Sequence, residues 1–230
     1  MPKPFIRPYD PSHDFDSTLV IFYGTIAKSV DFEPARTMGS YVWCRPYILL
    51  SPITCFVLDN GSGQAVGYII GAASTGDFVK KWRNEYIPTI DPEIIPKPPR
   101  QDNEKEEEKD GEGDKSGLLR YISNSVYEPE NELLHLSTPN LLERYPAHLH
   151  IDILPEHQRR GYGPKLINTF LEKVKAEGAA GVHLKMLIEN VEAKRFYEKL
   201  GFRIFEEVMD GGDSGEVGRV GDAICMVKEL

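Results

Sequence analysis

Residues 148–202 read HLHIDILPEHQRRGYGPKLINTFLEKVKAEGAAGVHLKMLIENVEAKRFYEKLGF, and their patterning decides the fold. Polar and apolar side chains alternate along 148–154, as they do in a strand with one face in a core. Over 161–177 the apolar residues Leu166, Ile167, Phe170, Leu171 and Val174 recur at helical spacing. A second strand follows at 182–188. A short helix over 191–200 comes next, with Ala193, Phe196, Tyr197 and Leu200 inward and Gly201 as its stop. A strand, a crossing helix and a strand imply two parallel strands joined in the right-handed sense.

Between the first strand and the long helix lies Gln158-Arg159-Arg160-Gly161-Tyr162-Gly163. Glycines here let the backbone turn tightly and approach a ligand without Cβ interference. The first helical turn leaves amide N–H groups unpaired, and the helix dipole adds positive potential, so the turn suits a pyrophosphate. Arg159 and Arg160 add charge. The pattern lacks the Gly-Lys-Ser/Thr ending of a Walker loop, and the third glycine and downstream acid of a dinucleotide fingerprint. A Gly-x-Gly alone would equally suit a plain tight turn.

Two signatures in register carry a resemblance. The first is the strand followed by Pro155-Glu156-x-Gln158-x-x-Gly161-x-Gly163. The second is Asn190-x-x-Ala193-x-x-Phe196-Tyr197-x-x-Leu200-Gly201-Phe202. Together they resemble the GCN5-related N-acetyltransferase (GNAT) family. A wider set of residues is similar to the acetyltransferase-like C-terminal domain of O-GlcNAc hydrolases: Phe56-Val57-Leu58-Asp59, Gly67-Tyr68, Phe78-Val79-Lys80-Lys81, Tyr86-Ile87-Pro88 and Tyr145-Pro146.

The resemblance implies an α/β GNAT fold: a mixed, mostly antiparallel central sheet with parallel strands 4 and 5 splayed apart, and helices on both faces. It implies acetyl-CoA as cofactor, lying where those strands part. The backbone of Ile153 and Leu154 would meet the pantetheine arm. Gln158, Arg159, Arg160, Gly161, Tyr162 and Gly163 would hold the pyrophosphate. Asn190 would bind the pantetheine arm or cap its helix, and Phe196 would pack on the cofactor or in the core. Tyr197 would protonate the departing thiolate, and the strand N–H near Ile153 would stabilise the oxyanion.

Along the first strand His148, His150 and Asp152 share one face, while Leu149, Ile151 and Ile153 share the other. The polar face is expected to line the acceptor side. Asp152 is assigned as amine anchor or general base and His150 as an auxiliary substrate-binding residue. The His-x-His-x-Asp set could also hold zinc, but nothing else supplies a ligand set, so no metal is assigned.

The front of the chain reads as a strand at 5–7, a helix capped by Asp14 or Asp16 through Leu19, Phe22, Tyr23 and Ile26, and a weaker helix at 35–41. A hairpin then joins 54–58 to 65–71 around Asn60-Gly61. Further strands are expected at 203–208 and 223–227. Residues 76–146 read as an irregular insertion in a single domain over 1–230, with a helix at 78–86. It holds an acidic run over 100–117, read as a solvated, mobile loop. Long insertions often cover a substrate site.

Acidic residues outnumber basic ones by 36 to 27 among 230, and the stretch 101–117 alone holds much of the excess. That balance argues against nucleic acid as a partner and leaves a cationic amine open. No apolar run approaches the length of a membrane span, and the first residues lack a signal-peptide core, so a cytoplasmic protein is expected. Cys44, Cys55 and Cys225 are read as reduced thiols. The function expected is acetyl transfer to a small-molecule primary amine, such as an amino sugar, in a ternary complex. A non-catalytic acetyl-CoA-binding module and a protein lysine acetyltransferase are the alternatives. Oligomeric state is not legible.

Overall fold

The computed structural model describes residues 3–98, 113–215 and 219–230. Strand β1 (Phe5–Pro8) leads into helix α1 (Phe15–Thr25), then α2 (Ala35–Trp43) and α3 (Arg45–Leu50). The hairpin is β2 (Phe56–Asp59) and β3 (Ala65–Ala72), followed by α4 (Thr75–Lys81), α5 (Gly113–Tyr127), α6 (Pro129–Leu133) and α7 (Pro139–Arg144). The last third is β4 (Ala147–Ile153), α8 (Tyr162–Ala176), β5 (Gly181–Leu187), α9 (Val191–Lys199), β6 (Arg203–Ile204) and β7 (Ala223–Glu229).

One sheet carries the strands in the order β1-β2-β3-β4-β5-β7-β6. Among the described residues β4 and β5 are its only parallel neighbours. Alternation along the strands divides the apolar residues into two main cores, beside a smaller cluster of Tyr145, Phe205, Cys225 and Val227. Leu149 of β4 and Leu184 of β5 meet Leu166, Phe170 and Val174 of α8 on one face. On the other, Tyr68 and Ile70 of β3 meet Ile21 and Phe22 of α1, Tyr47 of α3, Trp82, and Ile122 and Val126 of α5.

Several boundaries differ from the sequence reading, for physical reasons. Asp14 precedes α1 but caps no amide within it. Its fully buried carboxylate accepts two bonds from Arg7, at 2.5 and 2.8 Å, and Arg7 also bonds Asp59 of β2 at 2.9 Å. The guanidinium ties β1 to α1 and β2, and holds the Asp14 carboxyl down at about 2 despite its burial. The hairpin strand begins at Phe56, because Pro52–Thr54 form a tight helical turn. The expected strand over 203–208 is only Arg203–Ile204. The helix expected over 78–86 starts at Thr75 and widens into a π turn over Trp82–Tyr86.

The largest correction concerns residues 76–146. In their described part, 76–98 and 113–146, they are not simply irregular: α5, α6 and α7 lie there, and α5 buries Ile122 and Val126. The end of the acidic run, 113–117, opens α5, and its residues 100–112 lie outside the described residues.

Candidate active site

β4 and β5 pair at only two positions, Ala147 with Val182 and His148 with His183. Beyond them β4 stays with β3, its six pairs running to Gly67 with Ile153, and β5 stays with β7 through Leu187 with Ala223. A wedge therefore opens in the sheet after His148. The Leu154 N–H donates to the Val66 carbonyl at 3.0 Å on the β3 side. Alternation of antiparallel hydrogen bonding then turns the main-chain groups of Ile151 and Ile153 the other way, into the wedge, where no strand faces them.

On the α8 face the wedge opens into a cavity of 550 Å³. Ile151 and Ile153 of β4, Gln158, Arg159, Gly161 and Gly163 of the turn, and Asn190, Phe196 and Tyr197 line it. Arg159 and Gly161 adopt left-handed backbone angles, φ 57° and 79°, which reverse the chain into α8. The Gln158 side-chain amide donates to the Ile153 carbonyl at 2.7 Å, pinning the turn to the end of β4. The first-turn N–H groups of Tyr162 and Gly163 have no helical acceptor, and Pro164 supplies no N–H. A Cβ on Gly163 would stand 3.2 Å from the Phe196 ring, so glycine lets α8 and α9 close around the cavity. Unpaired donors, exposed Arg159 and free strand backbone suit an extended anionic molecule with an amide-bearing arm, as acetyl-CoA is.

Asn190 caps α9, its carbonyl oxygen accepting from the Ala193 N–H at 3.1 Å, and it still lines the cavity. The Tyr197 ring is buried against Phe196 and Phe202, while its hydroxyl has no partner among the described residues. Burial, and next the charge of Asp152 felt from the opposite face, raise the Tyr197 phenol above its ordinary range. It keeps its proton at neutral pH.

Leu154, Arg160 and Tyr162 do not line this cavity. Both main-chain groups of Leu154 are committed: its N–H to Val66, and its carbonyl to the His157 N–H at 2.8 Å. Arg160 is exposed, and the Tyr162 ring lies under the Lys165 ammonium, 5.7 Å from the ring centre.

The polar face of β4 meets a second cavity, of 180 Å³, on the other side of the sheet. Trp43, Tyr47, Trp82, Tyr121, Glu132 and four histidines (His135, His148, His150 and His183) line it, with Leu149 and Leu184 where the strands part. It shares Tyr121, Glu132, His135 and Lys185 with a neighbouring cavity of 310 Å³. Desolvation lowers the His150 and His183 imidazoles to about 4 and holds buried His148 well below its ordinary range. All three are neutral at pH 7.

Asp152 lies outside both cavities. It accepts from the Tyr68 hydroxyl at 2.6 Å, and burial pushes its carboxyl up to about 6 against the lowering effect of the Tyr68 and Thr25 hydroxyls. Among the described residues no group of three or more His, Cys, Asp or Glu side chains could hold a metal. Tyr47, His135 and His183 escaped the sequence reading. Tyr47 sits inside an apolar run, and His183 interrupts an apolar strand with no motif around it.

The GNAT acetyltransferase domain family matches residues 130–204. Across nearly the whole chain, the solved structure of SsHAT is 30% identical, covering 99% of this chain and 98% of its own, with a TM-score of 0.76. The chain belongs to the GNAT family. Membership makes it an acetyl-CoA-dependent N-acetyltransferase. More remote likenesses are to the Drosophila melanogaster polyamine N-acetyltransferase, 13% identical with a TM-score of 0.51 and covering 99% and 100% of the two chains. The NatC complex bound to Gag peptide and CoA gives 13%, 0.51, and 99% of both chains. At those identities the likeness is one of fold. Among the described residues of this acetyltransferase no helix is long and apolar enough to cross a membrane.

Proposed function

We propose that this GNAT enzyme acetylates a small primary amine, with acetyl-CoA held on the α8 face and the amine entering from the histidine face. The observation that carries the reading is the wedge after His148. Consecutive residues of one strand, His150 and Ile151, reach the two cavities, and adjacent Cα atoms are only about 3.8 Å apart. Two molecules arriving from opposite faces would meet there without crossing a strand.

The α8 turn from Gln158 to Gly163, with Arg159 as its cation at the cavity and Arg160 adding only long-range charge from the surface, would hold the diphosphate. The backbone of Ile151, the amide of Asn190 and the ring of Phe196 would hold the arm, leaving the Ile153 N–H for the acetyl group and Leu154 to brace β4. Bound acetyl-CoA supplies an activated acetyl thioester. The Ile153 N–H would donate to the oxygen on which charge develops. Tyr197 would give its phenolic proton to the leaving sulfur. Asp152, ionised at neutral pH and held by Tyr68, would serve as a fixed negative charge favouring the incoming amine.

The histidine cavity of 180 Å³ and the 310 Å³ cavity that shares its lining together fall within the ~300–1,000 Å³ typical of small-ligand sites, which supports a small-molecule acceptor. Its aromatic walls and the resemblance to the O-GlcNAc hydrolase C-terminal domain support an amino sugar. An amine of pKa near 8 is already about a tenth neutral at pH 7, whereas a lysine amine near 10.4 is almost wholly charged. Three buried, unpaired cysteines suit a reducing compartment such as the cytoplasm. Release of coenzyme A thiol across a panel of amino sugars, other small amines and lysine peptides tests the reading. Turnover of small amines is expected. Turnover of lysine peptides alone would reassign the acceptor, and tight acetyl-CoA binding without turnover of any amine would leave a binding module.

A further inference from the structure

The histidines of the acceptor cavity are joined in a chain whose direction is fixed. The Thr75 hydroxyl stands 2.7 Å from the Pro146 carbonyl and 2.7 Å from His148 Nδ1. Two oxygens that close need a hydrogen between them, and a carbonyl has none, so Thr75 donates to Pro146. Thr75 must then accept from His148, which carries its proton on Nδ1. That leaves His148 Nε2 bare, 3.1 Å from the Tyr47 hydroxyl, and Tyr47 donates to it. Having spent its one proton, Tyr47 accepts from His150 Nε2 at 3.2 Å. His150 is thereby protonated on Nε2 and bare on Nδ1.

His150 Nδ1 makes no hydrogen bond among the described residues, and it is absent from the sealed, unpartnered polar atoms, which are Thr18 Oγ1, Arg36 Nε and His157 Nδ1. It therefore opens onto the cavity that His150 lines. Asp152 lies outside both cavities, and His148 Nε2 is taken by Tyr47, so on the polar face of β4 the lone pair that opens onto the cavity is that of His150. We infer that Tyr47, held in turn by His148 and Thr75, is the positioning residue that presents His150 Nδ1 as proton acceptor for the attacking amine. This rests on the amine-acetylation reading above.

The proton balance is simple. As the amine nitrogen forms its bond to the acetyl carbon, its N–H becomes acidic and the proton passes to His150 Nδ1, while the acetyl C–S bond breaks with its electron pair going to the sulfur that Tyr197 protonates. The imidazolium then loses that proton to water at the cavity mouth, and Tyr197 recovers from solvent the one given to sulfur. Other titratable groups facing His150 across the cavity are His148, His183, His135, Lys185, Glu132 and Tyr121, with Tyr47 beneath it. The Lys185 ammonium is engaged by Asp213 at 2.8 Å, and Glu132 accepts from the Tyr121 hydroxyl at 2.8 Å.

Long-range proton–nitrogen NMR on the full chain labelled with ¹⁵N-histidine reads each tautomer directly, without cofactor or turnover. His150 is expected protonated at Nε2 and His148 at Nδ1 near pH 7. His150 protonated at Nδ1 would overturn the inference whatever the enzyme acetylates. Tyr47→Phe should mix the His150 tautomers and lower kcat about tenfold with acetyl-CoA affinity unchanged. Thr75→Val, at the far end of the chain, should lower kcat several-fold, and Thr75→Ser should restore it. If His150→Gln and Tyr47→Phe both keep the wild-type kcat, His150 is not the proton acceptor. If no amine is turned over while His150 shows the Nε2–H form, the functional reading fails and the positioning chain stands.

Discussion

Tyr197 lines the α8-face cavity with an unpartnered hydroxyl and a phenol that burial keeps protonated. If it hands its proton to the thiolate, Tyr197→Phe should lose about 10²-fold in kcat, the low end for general acid catalysis. Calorimetry should show the acetyl-CoA Kd within about twofold of wild type, because the ring and its packing remain. Unchanged kcat would remove Tyr197 from the chemistry. Asn190 offers a second test, since capping and cavity lining coincide in one side chain. Asn190→Ala should cost about 1 kcal/mol of stability and weaken acetyl-CoA. Asn190→Ser should keep the cap and lose only the affinity contributed by the amide; affinity and stability both kept in Asn190→Ser would mean a cap alone. At this scale the motif residues were legible because chemistry fixes their type and spacing. Tyr47 was not, because a tyrosine in an apolar run reads as core until its hydroxyl is seen between two imidazoles.

The elements that form the site were read well where one face is apolar. The strand at 147–153, the helix at 162–176 and the strand at 181–187 lie within about a residue of their expected bounds. The middle of the chain was read poorly: prolines and an acidic run masked α5, whose apolar side chains acquire a partner only when α2 packs on it. The wedge itself is invisible in sequence, since it depends on which neighbour each strand follows. β4 follows β3 closely at Gly71, where an added Cβ would stand 2.2 Å from the His148 carbonyl oxygen and 2.7 Å from the Phe170 ring. Backbone on one side and a fully buried ring on the other leave no room to yield. Gly71→Ala should therefore cost at least ~1–3 kcal/mol, read as a lower urea midpoint at constant slope. An unaltered midpoint would show that β3 and β4 tolerate separation.

For the molecule as a whole, the cluster of neutral imidazoles sets how it meets acid. In the unfolded chain each takes up a proton near pH 6.5, whereas folded His150 and His183 do so only near pH 4. Between those values the unfolded state binds more protons, so stability falls as the pH falls. Asp152 works the other way: its folded pKa near 6 lies above the unfolded value, so it contributes stability on acidification. Three depressed histidines outweigh one raised carboxyl. Unfolding free energy should drop from pH 7 to pH 5, with fully enclosed His183 alone accounting for roughly 2 kcal/mol. Urea titrations at the two values check the sign, and His183→Asn should flatten the slope. Stability that held or rose on acidification would refute the neutral cluster.

The parting of β4 from β5 also governs traffic. If, as proposed, the nucleotide carrier docks on one side of the sheet and the acceptor on the other, each has its own door, and neither occupant bars the other's way. Loading in either order is then open, both products can leave independently, and no acetylated protein need form between two half-reactions. Double-reciprocal plots at several fixed acceptor concentrations should intersect, and parallel lines would mean that one shared door is used twice.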